Sequence, residues 1–202
     1  IQMTGQFSLG SKNNPNYMET QASQVLAVPY GFVWKMRTQT GHLRLSGSDS
    51  SVWTRFWMGG LLPVARAGGA ADHARSAFGR AVAEAVFWAP AAVLPSPTVV
   101  WKAVRQDVAG VTVTHQGLTQ RVDVTVASDG QPTEIAFQRW SNANPEQEYR
   151  LQPFGGYLSD FQDFGGYRLP THVEAGNHFG TEAYFPFYRV DVKEVSFPTP
   201  KP

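Results

Sequence analysis

The sequence predicts a mainly β (α+β) protein. It is expected to form a single curved antiparallel sheet of about ten or eleven strands, a half-barrel, with one central helical insertion (about residues 71–94) against its concave side. Three observations carry this expectation. Apolar side chains recur at every second position along almost the whole chain, in short segments separated by Gly, Pro, Asn and Asp. One stretch alone, about residues 71–94, leaves that rhythm and repeats its apolar residues every three to four positions. No linker divides the 202 residues, so a single domain over 1–202 is expected.

In chain order, Ile1, Met3, Gly5, Phe7 and Leu9 alternate with Gln2, Thr4, Gln6 and Ser8, the mark of a half-buried strand. Gly10–Pro15 is a turn cluster, and Tyr17–Val28 is a second strand ended by Pro29-Tyr30-Gly31. Phe32, Trp34 and Met36 alternate with Val33, Lys35 and Arg37. Thr40-Gly41 then turns into a strand at His42–Leu45, and Ser46–Ser51 reads as a polar turn. Val52–Met58 is bulky on both faces, which suits a strand covered on both sides. Leu61–Ala67 is a short apolar piece, and Gly68-Gly69 ends the first half of the sheet.

The helix follows, with Asp72 as its expected N-cap. Phe78, Ala81, Val82, Ala85, Trp88 and Ala89 fall on one stripe; His73, Arg80, Glu84 and Phe87 fall on the opposite one. Gly79 weakens the helix by about 1 kcal/mol relative to Ala. Pro90 disrupts the regular helix, and Pro95 and Pro97 stop any continuation.

Strands then resume at Val99–Val104, Val111–His115 and Arg121–Val126, with a hairpin signal at Ser128-Asp129-Gly130 before Ile135 and Phe137. Asn142–Pro145 is a loop. An aromatic, Gly-rich region follows, with Gly-Gly-Tyr at 155–157 and again at 165–167, then Thr171–Phe179 and a last strand within Tyr184–Phe197. Tight turns imply antiparallel neighbours. A long twisted sheet curls unless it splits into layers, and one helix cannot cover both of its faces but can plug the hollow of a curled one.

Composition narrows the functions. Net charge is +1 and the basic residues are scattered, so nucleic acid is not an expected partner. With no cysteine, disulfides, thiol catalysis, zinc–thiolate sites and iron–sulfur clusters are excluded. No apolar run reaches the roughly 18 residues of a spanning helix. The Walker, dinucleotide, G-x-S-x-G and H-E-x-x-H motifs are absent, and no cofactor is expected.

Four stretches together resemble a known group: MTGQFSLG near the start, GRAVAEAVFWAPAAVLP followed by TVVW, FGGYRLPTHVEAGNHFGT, and FYRVDV. Their order and spacing resemble an uncharacterised family of bacterial proteins with the half-barrel of the LolA/LolB-like lipoprotein-carrier superfamily. The resemblance implies that fold, an apolar hollow, and an upstream helical segment preceding Ile1, so the chain is expected to lack its native N-terminal segment. By fold analogy the compartment is the cell envelope or periplasm, with the cytoplasm left open.

Candidate residues each carry a structural alternative. Arg80 and Glu84, spaced i,i+4, fit a solvated surface pair best; they could instead tie the helix to strands, or let Arg80 anchor a ligand anion. Of the six tryptophans, Trp34, Trp53, Trp88 and Trp101 flank or lie in the helix and are candidates for lining a pocket, against plain core filling. His172, Glu174 and His178 share a strand face, but His178 stands about 20 Å along, so a shared metal is not expected. His178 is a candidate hydrogen-bonding group at the pocket rim. Asp160 and Asp163 read as turn formers rather than an acid–base pair.

The leading expectation is therefore binding of a hydrophobic or amphipathic, lipid-like small molecule in the hollow, through Trp34, Trp53, Arg80, Glu84, Trp88, Trp101 and His178. The alternatives are an enzyme using the same hollow, with Glu84 or a His as general base and Arg80 as anion anchor, and a structural or interaction domain without ligand.

Overall fold

The computed structural model describes residues 1–38 and 44–198. Its elements are β1 (Gln2–Ser8), β2 (Tyr17–Ala27), β3 (Gly31–Thr38), β4 (Leu45–Ser50), β5 (Trp53–Met58), β6 (Leu62–Gly68), α1 (Ala71–Trp88), a 3-10 turn (Pro90–Val93), β7 (Val99–Arg105), β8 (Val108–His115), β9 (Leu118–Val126), β10 (Pro132–Ser141), β11 (Arg150–Phe164), β12 (Tyr167–Asn177) and β13 (Phe185–Glu194). All thirteen strands form one sheet in the order β6-β5-β4-β3-β2-β1-β13-β12-β11-β10-β9-β8-β7. Every neighbouring pair is antiparallel. Pairing of β1 with β13 joins the two halves at the middle, and β6 and β7 are the two outer edges. The helix is thus the connection from one edge of the sheet to the other. No described helix is long and apolar enough to cross a membrane.

The strand count, thirteen, exceeds the ten or eleven expected. Ser46–Ser51 reads locally as a polar turn, yet Leu45–Ser50 pairs with β3 on one side and β5 on the other. Ladder hydrogen bonds on both edges override weak β propensity. The predicted strand at His42–Leu45 begins outside the described residues. The segment at β5, expected to be covered on both faces, is only half-buried, because its outer neighbour β6 is an exposed edge strand.

Asp72 is not the N-cap. Ala70 takes that position without a side-chain cap, and Asp72 is the second residue of the helix, accepting a 2.8 Å hydrogen bond from Trp140 Nε1. It still complements the positive end of the helix dipole. At the other end Pro90 replaces the regular helix by the 3-10 turn, which Trp101 Nε1 ties to β7 through Val93 O at 2.7 Å.

From Ala77 to Trp88 the helix is buried on nearly all sides, as a helix running through a hollow must be. It packs chiefly on β9 and β10 and reaches β3, β6 and β12. Phe78, Ala81, Val82 and Ala85 join Val111, Val113, Val122, Val124 and Ile135 in the core. At Gly79 an added Cβ would lie 2.7 Å from Gln120 Oε1, the far end of a side chain that can move aside.

The two Gly-Gly-Tyr sequences do different work. Gly165 and Gly166 have φ of 56° and 87° and make the tight turn between β11 and β12. Gly155 and Gly156 lie inside β11, where Cβ atoms would fall 2.2 Å from Ile135 O and 1.7 Å from Glu174 O. These glycines let neighbouring strands approach as the sheet coils.

Candidate functional site

Between the sheet and α1 lies a partly enclosed cavity of about 220 Å³. Arg80, Ala83, Glu84, Phe87 and Trp88 face it from the helix, at i, i+3, i+4, i+7 and i+8. The stripe carrying the charges therefore faces the hollow, joined by Trp88 from the apolar stripe, while Phe78, Ala81, Val82 and Ala85 lie in the core. Across from it the wall is aromatic: Phe7, Trp34, Phe56, Phe137, Phe154 and Phe187. Phe154 meets Phe137 and Phe187 at centroid distances of 5.4 and 6.0 Å, in tilted and edge-on geometry.

Arg80 and Glu84 do pair, Nε to Oε1 at 2.7 Å, but not as a solvated surface pair. Arg80 Nη1 also reaches Asp49 Oδ2 at 2.7 Å, and Nη2 reaches Gln24 Oε1 at 3.4 Å. Gln24 Nε2 returns a hydrogen bond to Glu84 Oε2, so both carboxylate oxygens of Glu84 are occupied. The guanidinium lies over Phe32 and Trp34, at 4.5 and 5.1 Å from their centroids. The side chains of Arg80, Asp49 and Glu84 are only 17%, 18% and 14% exposed. Burial works against the charge on Arg80, but the carboxylates of Glu84 and Asp49 outweigh it and hold its pKa above the ordinary value.

The cluster extends along the helix. Thr54 Oγ1 donates to Asp49 and lies 3.1 Å from His73 Nε2. On the other side Trp34 Nε1 donates to Tyr188 Oη at 3.2 Å, and Tyr188 Oη contacts Met3 Sδ at 3.3 Å. Burial pushes the Tyr188 phenol up; the Arg80 charge and the Trp34 hydrogen bond oppose it. A helix charged on its inner face is thereby tied to β2, β4 and β5.

Arg139 was not singled out from sequence. It extends the inward alternation of Ile135 and Phe137 on β10, and that parity was the available signal. It lines the cavity half-buried, 4.8 Å over the Phe154 ring. Its Nε is buried without a hydrogen-bond partner among the described residues. Burial, and then the positive charge of Arg80, push its pKa below the ordinary value, with Asp49 and Glu84 opposing.

Of the residues expected from sequence, Trp34, Arg80, Glu84 and Trp88 come together around the hollow. Trp53, Trp101 and His178 do not. Trp53 donates from Nε1 to Ser48 Oγ at 2.9 Å near the β6 edge, and Trp101 serves the 3-10 turn. His178 sits in the turn after β12 with φ of 60°, its backbone N–H donating to Pro153 O. His172 lies 2.8 Å from Asp191 and 3.8 Å from Glu174, which in turn meets Arg189 at 3.3 Å. Asp160 and Asp163 are exposed strand residues of β11, Asp160 with φ of 55°, rather than members of a loop.

The sequence model of a family described as a family of unknown function, DUF6544, matches residues 1–190. No curated protein matches the sequence. Among solved structures, a domain described as that of an outer membrane lipoprotein-sorting protein from Vibrio parahaemolyticus is similar over 100% of this chain and 85% of its own. The identity is 8% and the TM-score 0.47. A LolA superfamily protein from Nitrosomonas europaea is similar over 96% of this chain and 86% of its own, with 10% identity and a TM-score of 0.46.

Proposed function

This chain belongs to the family of unknown function DUF6544, and we propose that its hollow binds a hydrophobic or amphipathic small molecule of lipid-like character. One observation supports this reading above the others: a cavity of about 220 Å³ walled by aromatic and aliphatic side chains and bounded by the helix. It is larger than the roughly 150 Å³ apolar cavity that takes up benzene. Trp34 and Trp88 contribute wall, and Arg80 with Glu84 hold the helix that bounds it. No bond is made or broken in this function.

The test is binding. Purified protein is examined by native mass spectrometry and solvent extraction for a carried lipid, and titrated with a fluorescent fatty acid. Ala83→Phe places a ring into the hollow from the helix and is expected to weaken uptake by about tenfold or more while thermal unfolding stays cooperative. Wild-type protein with no carried lipid and no uptake would remove the reading, as would undiminished uptake in the filled variant.

A further inference from the structure

We propose that Arg139 is the anion-binding subsite of this hollow, so that its ligand is a single-chain amphiphile with a carboxylate or phosphate head. The proposal rests on the binding reading above and specifies the ligand class.

Two arginines line the cavity, and they are not equivalent. Arg80 is satisfied by Glu84, Asp49 and Gln24. A ligand anion approaching it would meet two carboxylates already in place. Arg139 has no ion pair or side-chain hydrogen bond among the described residues, and its Nε is buried and unpartnered. Its guanidinium lies 4.8 Å over the face of Phe154, also a cavity wall. The third acidic residue of the lining, Glu174, is held by Arg189. The carboxylates at the cavity are thus all engaged elsewhere, and Arg139 is left with unused donors.

A guanidinium stays charged at any physiological pH, and its donors match carboxylate and phosphate oxygens in a two-point fork. A buried donor without an acceptor is costly, and a cost of this kind persists where a bound group relieves it. The depressed pKa of Arg139 agrees with a cation whose charge is not compensated by its own protein. The aromatic wall beside it takes the chain while the guanidinium takes the head. This division suits an amphiphile better than a plain hydrocarbon.

The experiment compares octanoate, octyl phosphate and octanol by calorimetric titration of the full chain and of Arg139→Met and Arg139→Lys. Wild type is expected to bind at least one anionic probe about tenfold or more tighter than octanol, the range of one charge-assisted contact. Whichever of octanoate and octyl phosphate binds tighter identifies the head. Arg139→Met should lose that preference yet keep its affinity for octanol, which also reports an intact hollow; Arg139→Lys should restore part of it. If wild type binds octanol and the anions equally, this inference is overturned while the binding reading stands. If no probe binds, both fall. An anion preference that survives in Arg139→Met overturns the assignment to this residue.

Discussion

Replacing Arg80 by Met tests whether the ion cluster is a structural tie or a surface ornament. Met retains much of the aliphatic volume over Phe32 and Trp34 but removes the cation between Glu84 and Asp49. Removing one partner of a fully buried pair costs about 3–5 kcal/mol, because the remaining charge is left uncompensated. Here the three side chains keep 14–18% exposure, and solvent relieves part of that penalty. The expected loss is therefore about 2–4 kcal/mol, against a few tenths for a solvated i,i+4 pair. In a domain whose total stability is about 5–15 kcal/mol, this is a large fraction. Urea unfolding followed by tryptophan fluorescence measures the loss. A deficit under about 0.5 kcal/mol would refute the reasoning.

Three further outcomes are expected. Arg139→Met should raise the stability of ligand-free protein by about 0.5–2 kcal/mol, since it removes an unpaired cation from the cavity wall; a drop in the urea midpoint would contradict this. Tyr188, whose pKa is raised by burial, keeps its proton when folded while an unfolded tyrosine ionises near 10.0. Its contribution is complete below that pH and lost above it, so alkaline unfolding should begin later in Tyr188→Phe, and the tyrosinate absorbance of wild type should lag until the chain unfolds. Gly156→Ala should abolish soluble folded protein, because the Cβ would meet Glu174 O at 1.7 Å. Gly166→Ala, with open space around it but φ of 87°, should cost only about 1–2 kcal/mol by thermal unfolding.

Much of the fold was legible in the sequence. Period-two alternation marks a strand wherever one face is buried, and it located β1, β3, β8 and β9 directly. The helix and its stop at Pro90 were equally plain, though not its N-cap, because helical periodicity and proline act locally. What misled was Ser46–Ser51, where composition favours a turn and only the ladders with β3 and β5 make a strand.

The sequence by itself determined the β meander, the place of a helix in its middle that stops at Pro90 and the presence of an aromatic-rich interior, because each depends on neighbours a few residues apart. Tertiary structure alone decided which helical stripe faces the hollow. The partners that decide it are far apart in the chain: Arg80 meets Asp49 across 31 residues, Glu84 meets Gln24 across 60, and Trp34 meets Tyr188 across 154. The same holds for the difference between Arg80 and Arg139. Local pattern gives both arginines an inward-compatible position, but only the folded sheet brings two carboxylates to one and none to the other.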